Sequence, residues 1–577
     1  MVNPATSSIE KPQNGLAGLK HIRHDIVAGI VVSLVSLPLS SGIAIASGVP
    51  PVYGMISAIV AGLLVPLIGG GYVTISGPAA GLAPALMAIM ITMGGAGDAE
   101  SVGAGYQFLL VIIFMVGAIQ IVMSLLKLAR FCAIIPVSVV EGMLASIGML
   151  IIVKQLPKFF GYNGKVNAHE FFQYFGELPV FVQGMTKPVF LVSISTLVLL
   201  FWLGSLKNVR FLKVIPPQLI AVVFGVILGT TLDIGSLGHG FLISLPETPF
   251  NGCNLPNFSA MIAREDLWYA AIIGIVTLTM IDGIESLATA MAVDRIDPYK
   301  RKSDPNRVLL AMGVSNIASS LVGGLTIIPG GVKSKTNIAS GGRTLWANFT
   351  NAVCLMIYLC FARDVINLIP MGVLSAILIY TGWKMCEPMI WKHMHRIGKE
   401  QLVIFAFTIA CTLLTDLLWG IVAGVVAKLV LNLYLYHWSA AHATTNDSPQ
   451  SSHLQKLADL FANPVSHHQF RDGIYTLHLD KPLVCFNSMK LSQELDRIPE
   501  DVTLIRLHLH QGVALVDHSS CENLWFAVQQ FADRNIDVEI AGLDEMKPMS
   551  DYHSSMRVNA PGWMPATVPN TAAVAAG

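Results

Sequence analysis

Charge is what this chain has least of. Of its 577 residues only 12% are Asp, Glu, Lys or Arg, where a soluble domain carries about a quarter. So few ionic groups cannot clothe a water-exposed surface of that size, which argues against an ordinary soluble globular protein. The 36 basic and 36 acidic residues cancel, and nothing points to a nucleic-acid partner. Cysteine is sparse too: the 8 present have neither metal-ligand nor disulfide spacing, and most lie in apolar runs as small hydrophobes. The N-terminus lacks a short apolar core with a small-residue cleavage site, so 1–24 reads as a loose, polar tail. No nucleophile–base pair, metal cage or phosphate loop is found, so an enzyme is the least favoured class and no cofactor or metal is expected. His508 and His510 share a strand face, but no Cys or carboxylate completes a site with them. They are read, with His393, His395, His467 and His468, as surface histidines.

What the chain has instead is apolar length. Residues in the AVILMFWYC class make up 53%, and runs long enough to cross a bilayer recur from 25 to 437. The spans fall at 25–47, 53–68, a short run ending at Met93, 109–126, 134–153, 188–203 and 216–232. They continue at 267–293, 308–321, a half-helix after Gly330, 346–362, 365–382, 403–414 and 417–435. The reading is an α-helical polytopic membrane protein of about fourteen segments, seven plus seven. Lys and Arg cluster after alternate spans (Lys127, Arg130; Lys207, Arg210, Lys213; Arg295 to Arg307; Lys384 to Lys399), while the loop with Asp98 and Glu100 is acid-leaning. By the positive-inside bias both termini are expected in the cytoplasm, in a cell (inner) membrane.

Three interruptions stand out. The second half of the first span, PLSSGIAIASG, places Ser40, Ser41 and Gly42 where a lipid-facing helix would carry large apolar residues. GGGYVTISGPAAG at 69–81 follows an apolar run with a β-prone piece and Gly77-Pro78; Pro78 suits the first turn of a helix starting inside the membrane. GGLTIIPGGV at 323–332 repeats that pattern, so that 74–78 corresponds to 326–330. Interrupted segments at matching places in two halves mark a transporter's binding site, where half-helix N-termini would aim N–H groups at a central anion.

The central span carries charge that lipid would not tolerate. In IDGIESLATAMAVD (281–294), Asp282 and Glu285 lie three residues apart and Thr289 four beyond, so Glu285 and Thr289 share one helix face. An ionised carboxylate at such depth needs a cavity, a cation or a basic partner. Asp282 could favour proton coupling or pair with Lys333. Lys333 either faces the substrate or anchors its half-helix at the cytoplasmic surface, the second reading being preferred. After His437 the composition turns polar; 473–479, 504–509 and 538–541 read as strands and 521–531 as a helix, a small α/β domain.

The motifs PLSSGIAIASGVPPVYG (38–54), VTISGPAAG (73–81), IESLATAMAVDRIDPYKR (284–301), DPNR (304–307), GVSNIASSLVGGL (313–325) and LVDHSSCENL (515–524) occur in that order. With them the chain, from 19 to about 551, resembles the sulfate permease family of anion transporters with a C-terminal STAS domain. The resemblance implies two inverted seven-segment repeats arranged as core and gate, often dimeric, with substrate between the starts of the third and tenth segments. Carried onto this chain, the substrate residues would be Ser40, Ser41, Ser76, Gly77, Ala79, Ala80, Gly330, Gly331 and Val332, with Lys333 as an anion-facing base. The first segment and the Ser-Gly-Pro turn look most similar to sodium-dependent bicarbonate transporters, which implies a cation site at Glu285 and Thr289, with Asp282 beside it.

Three positions depart from that pattern: Ala79 stands where the bicarbonate relatives have Thr, Lys333 where most members have Arg, and Asp282 is an added acid. Lys keeps the charge but loses bidentate geometry toward an oxyanion. Ser519 and Ser520 occupy the turn phosphorylated in stand-alone STAS relatives, with a helix N-cap as their expected role. The expected organisation is 1–24 cytoplasmic tail, 25–437 transmembrane domain, 438–468 linker, 469–551 STAS-like domain and 552–577 disordered tail. The expected activity is Na+- or H+-coupled transport of bicarbonate or sulfate by alternating access, in a lipid-embedded homodimer with a cytoplasmic partner at the STAS domain. A channel-like or regulatory protein and a nucleobase–proton symporter stand as the alternatives.

Overall fold

The computed structural model describes residues 11–97, 102–129, 135–164, 166, 168, 170–206, 216–238, 240–245, 254–415, 417–443, 453–495, 497–499, 501–510, 512–532, 534 and 536–560. The expectations for 1–10, Asp98, Glu100, Arg130, Lys207, Arg210, Lys213, 444–452 and 561–577 lie outside these residues. Two compact units emerge: Met1–Ala129 with Leu144–Cys386 and Leu413–Leu418, and Arg130–Met143 with Glu387–Thr412 and Trp419–Gly577.

In chain order the larger unit draws on α1 (Ile22–Ala46), α2 (Pro51–Ile68), β1 (Ser76–Pro78), α3 (Ala83–Thr92), α4 (Tyr106–Leu125) and α5 (Val137–Phe160). α6 (Phe171–Gln183), α7 (Lys187–Ser205), α8 (Pro217–Thr231), α9 (Phe258–Ala263), α10 (Trp268–Ile296) and α11 (Pro305–Leu321) follow. It ends with β2 (Ile327–Pro329), α12 (Gly331–Ala339), α13 (Trp346–Phe361), α14 (Arg363–Ile366) and α15 (Met371–Cys386). The smaller unit draws on α16 (Pro388–Ile397), α17 (Lys399–Leu414), α18 (Leu417–Ala443) and α19 (His453–Phe461), then β3 (Val465–Arg471), β4 (Ile474–Leu479), α20 (Ser488–Leu495) and β5 (Leu504–Leu509). β6 (Leu515–Val516), α21 (His518–Ala532), β7 (Asp537–Ala541), β8 (Lys547–Pro548) and β9 (Arg557–Val558) complete it. Among the described residues seven helices are long and apolar enough to cross a membrane; α3, α8 and α13 are shorter apolar helices.

The repeat is visible in the order of elements. α1, α2, β1–α3 and α4 are matched by α10, α11, β2–α12 and α13, and β1 and β2 pair antiparallel, as two halves of opposite orientation require. α1, α13 and α11 pack closely on α2, and α4 packs closely on α11. Gly117 of α4 and Gly313 of α11 meet reciprocally: a Cβ on either would lie 2.6–2.8 Å from the other's carbonyl oxygen, so the two backbones touch. The DPNR motif is a helix start, with Asp304 accepting the N–H groups of Asn306 and Arg307 and Pro305 opening α11.

Residues 12–15, which the composition placed in a loose tail, are held in place. Asn14 Nδ2 donates to the Gly71 carbonyl at 2.5 Å, its Oδ1 accepts the Leu345 N–H at 3.1 Å, and Trp346 Nε1 donates to Gly15 O at 2.9 Å. Arg301, taken from the sequence as a loop charge, is a buried tie-point. It grips Asp297 through two nitrogens at 2.7 and 2.9 Å, donates to the Pro12 and Arg343 carbonyls, and lies between the rings of Tyr72 and Tyr299.

In the smaller unit the sheet order is β3-β4-β5-β7, antiparallel at its first pair and parallel beyond. β4 and β5 alternate in burial, and Leu477, Leu479, Ile505 and Leu507 meet Leu491 of α20 and Leu524 and Phe531 of α21. Two domain boundaries move. The expected linker 438–468 already contains the end of α18, α19 and the start of β3. The expected disordered tail from 552 is ordered as far as 560, because β9 pairs with β6 and β8 and buries Met556 and Val558 against Leu435, Leu460 and Leu515.

The cap of α21 is Asp517 rather than Ser519 or Ser520. Its carboxylate accepts the Ser520 and Cys485 N–H groups at 2.9 and 3.0 Å, and Lys428 of α18 lies 3.7 Å away with both side chains fully buried. Ser519 and Ser520 are themselves buried, the former accepting the Val137 N–H at 3.3 Å. Burial alone would raise the Asp517 carboxyl, but the Lys428 ammonium and the Cys485 and Ser520 donors outweigh it and hold it below the ordinary carboxylate range. A carboxyl lowered on folding contributes stability above its unfolded value of about 3.9 and loses it as pH falls through the folded value. Asp517→Ala is expected to destabilise the unit by about 3–5 kcal/mol by stranding Lys428, read as a lower thermal-unfolding midpoint. Lys428→Met in the same chain should recover part of the loss.

Candidate functional site

The site grows out of the two interruptions. β1 and β2 cross antiparallel with Ser76 opposite Pro329, Gly77 opposite Ile328 and Pro78 opposite Ile327. Neighbouring groups tie down the backbone that this short ladder leaves free. The Ile75 N–H donates to Ser334 Oγ at 3.0 Å, the Gly330 N–H to Ile75 O at 2.8 Å, and Asn337 Nδ2 to Val73 O at 2.9 Å. Backbone outside a helix survives at membrane depth only when satisfied in this way.

The second half-helix begins where the sequence placed it, with Gly330 as N-cap and α12 from Gly331. The first does not. Pro78, read as the opening turn of a helix, lies in β1; residues 80–82 make a turn, and α3 starts at Ala83 with Pro84 in the first-turn role. A fixed φ near −65° suits both a strand edge and a helix start, and pairing with β2 decides between them. The free N–H groups of a helix's first turn are therefore offered to the crossing mainly by α12.

Around the crossing the predicted residues divide. Lys333 is buried, donates to Ser40 Oγ of α1 at 3.0 Å, and forms no ion pair with a described carboxylate. It thus neither anchors α12 at a surface nor pairs with Asp282. Gly77 lies against its end: a Cβ there would lie 2.6 Å from Lys333 Nζ. Gly54 of α2 abuts the Ser40 carbonyl, so α1 and α2 meet backbone to backbone beside the lysine. Ser41 Oγ and Ser76 Oγ are buried without hydrogen-bond partners. Ala79 is buried; Ala80, Gly330 and Gly331 are partly exposed, and Val332 is exposed.

Glu285 sits on the other flank. A Cβ on Gly81, in the turn before α3, would lie 2.5 Å from both carboxylate oxygens, so glycine lets the carboxylate rest against that turn. Glu285 Oε2 is buried with no partner. Thr289, one helical turn on, reaches the start of α12, its Cγ2 being 3.8 Å from where a Gly331 Cβ would stand. α10 therefore presents Glu285 to one half-helix start and Thr289 to the other.

Asp282 belongs to a different arrangement. Its Oδ1 accepts Gln120 Nε2 at 2.6 Å and Ser286 Oγ at 3.3 Å, and its Oδ2 accepts Asn316 Nδ2 at 3.2 Å. Asn316 also donates to Gln120 Oε1 at 2.9 Å and accepts the Ile327 N–H of β2 at 2.7 Å. Both Asp282 oxygens are engaged, and the cluster locks α4, α10 and α11 to β2. Gln120 and Asn316 were not singled out in the sequence. A polar residue in the middle of each of two apolar spans was the available signal.

With this geometry in hand, comparison with known proteins is decisive. A model of the sulfate permease family matches residues 22–408. The chain belongs to that family. A putative sulfate transporter of Bacillus subtilis, YvdB, is 28% identical over 405 residues, 69% of this chain and 71% of that protein. The bicarbonate transporter BicA of a Picosynechococcus species is 25% identical over 402 residues, 69% of this chain and 68% of its own. The transmembrane domain of a cyanobacterial BicA superposes with a TM-score of 0.60 at 25% identity, over 70% of this chain and 98% of that one. SLC26A9 superposes with a TM-score of 0.63 at 16% identity, over 90% of this chain and 84% of that one, a likeness of fold. Family membership makes the chain a multi-pass membrane protein of a transporter family and not an enzyme.

Asn316→Ala removes donors to Asp282 and Gln120 and the acceptor of the Ile327 N–H. It is expected to cost roughly 1–3 kcal/mol for each group left buried and unsatisfied, seen as a fall in the melting temperature of detergent-solubilised protein. An unchanged melting temperature would show that the cluster does not hold the crossing.

Proposed function

We propose that this chain is a secondary active transporter of an inorganic anion, bicarbonate first and sulfate second, driven by Na+ or H+ through alternating access. The observation that carries this reading is Lys333, a buried cation with a serine hydroxyl for company and no described carboxylate in reach. A buried charge without a counter-charge is costly, and an anion at the crossing would supply it. The unpartnered hydroxyls of Ser41 and Ser76 and the first-turn N–H groups of α12 are the donors at hand for its oxygens. Glu285 presents the converse need, a buried carboxylate oxygen awaiting a cation or proton, with Thr289 on the same helix face as a further oxygen ligand.

Charge balance favours bicarbonate. A monovalent anion against Lys333 and a monovalent cation against Glu285 leave the loaded site neutral, whereas sulfate leaves one uncompensated negative charge. Sulfate then calls for one more positive charge, a proton or a second cation in addition to the one at Glu285. The names of the relatives, sulfate and bicarbonate transporters, support the anion class. Cytoplasmic termini, a homodimer, and a STAS-like domain that dimerises or recruits a partner belong to the same reading.

The test is uptake of labelled bicarbonate and of sulfate into proteoliposomes, with and without a Na+ gradient, for wild type, Glu285→Gln and Lys333→Met. Na+-driven bicarbonate uptake should fall by about tenfold or more in each variant, the kinetic equivalent of a lost charge-assisted hydrogen bond. Sulfate uptake driven by a proton gradient would reassign substrate and ion. No flux of either anion through folded protein would refute the transport reading and leave the regulatory one.

A further inference from the structure

Two of the histidines read from the sequence as surface residues, His508 and His510, converge with His478 on one face of the C-terminal sheet. β4 and β5 are parallel, and their register sets His478 beside His508. His510 follows two residues later and so projects to the same side as His508. The opposite side of both strands is the domain core of Leu477, Leu479, Ile505 and Leu507, so the three imidazoles stand on the outer face.

Their spacing is that of ligands rather than of chance neighbours. One nitrogen from each ring lies within 4.8 Å of the other two. His478 Nδ1 is 2.8 Å from His510 Nε2, the His508 and His510 ring centroids are 4.5 Å apart, and those of His478 and His510 are 5.0 Å apart. His508 Nδ1 is buried with no hydrogen-bond partner. The Asp480 carboxylate comes to 3.8 Å of His510 Nε2, and the exposed His467 ring stacks on His478 with centroids 4.1 Å apart. Two of the ligands stand on strands of a packed sheet. The third is held by the ladder just beyond, its N–H donating to Leu479 O at 2.9 Å. Such a donor set is preorganised and needs only side-chain rotation to close on an ion.

We propose that His478, His508 and His510 bind a borderline divalent cation, Zn2+ first, with the Asp480 carboxylate or a water as the fourth ligand. Zn2+ takes neutral imidazole nitrogens at about 2.0–2.1 Å in a tetrahedron, which sets its donor nitrogens roughly 3.3 Å apart, inside the observed cluster. Mg2+ and Ca2+ require oxygen-rich cages and do not fit an all-imidazole set. The bound ion clips β4 to β5 on the face away from the core. The site belongs to the smaller unit, and its existence does not depend on the transport reading.

The test uses full-length, tag-free protein in detergent, stripped with a chelator and dialysed against micromolar Zn2+, with bound metal counted by mass spectrometry. One Zn2+ per chain is expected, lost in His508→Asn and separately in His510→Asn. It should be retained in His468→Asn, whose ring packs on Tyr475 instead. Co2+ in place of Zn2+ should give the visible band of a tetrahedral site in wild type and not in the two ligand variants. Acidifying the wild type to about pH 5, below the ordinary histidine pKa, should release the ion because protons compete for the imidazoles. The wild-type measurements stand even where a variant folds poorly. No Zn2+ on the wild type, equal loss in His468→Asn and His508→Asn, or full retention at about pH 5 would each overturn the proposal.

Discussion

Everything in the larger unit answers to one constraint: six residues of extended backbone, three from each half of the chain, must be satisfied where no lipid can satisfy them. The pairing of β1 with β2 meets part of that demand and Asn316 takes the Ile327 N–H, while Ser334 and Asn337 tie down Ile75 and Val73 on the approach to β1. What the crossing leaves unspent is the set of groups on which the proposed site rests. Its groups are the first-turn N–H groups of α12, the hydroxyls of Ser41 and Ser76, the Lys333 ammonium and the Glu285 carboxylate. Buried polar groups in a folded chain are nearly always paired, and the unpaired ones around this interrupted helix are those that the proposed anion and cation would engage.

Two acids three residues apart on α10 show how sharply that distinction runs. Asp282 is saturated by Gln120, Ser286 and Asn316 and serves as a joint between helices. Glu285 keeps an unpartnered oxygen and lies against a glycine that leaves it room. Glycine has a matching part on the other flank, where Gly77 leaves space for Lys333. Small residues therefore lie both where helices approach and where the two charged side chains meet the half-helix turns.

In the smaller unit the last apolar helix and the sheet domain share a core. Lys428 of α18 pairs with Asp517 at the cap of α21, and Leu435 packs with Leu460, Leu515 and Val558. A lysine in the middle of an apolar helix is supportable because protein, not lipid, surrounds it. The same arrangement buries Ser519 and Ser520, the turn that resemblance alone would have offered to a modifying enzyme.

Much of this was legible in the chain by itself, because it rests on local period and composition. Scarce charge and long apolar runs determined a membrane protein. Two matching Gly/Pro interruptions located the crossing, and alternation in 474–479 and 504–509 located two strands of the C-terminal sheet. Only the tertiary structure decided what depended on distant partners. Pro78 is a strand residue because Ile327 pairs with it. Asp282 is a joint because Gln120 and Asn316 reach it. Lys333 faces inward because Ser40 and Gly77 receive it, and the segment from Pro12 is ordered because Arg301 and Trp346 hold it. His478 meets His510 from 32 residues away through a parallel register. Period and propensity are properties of neighbours along the chain, whereas the partner of a buried polar group is chosen by whichever element the fold brings alongside it.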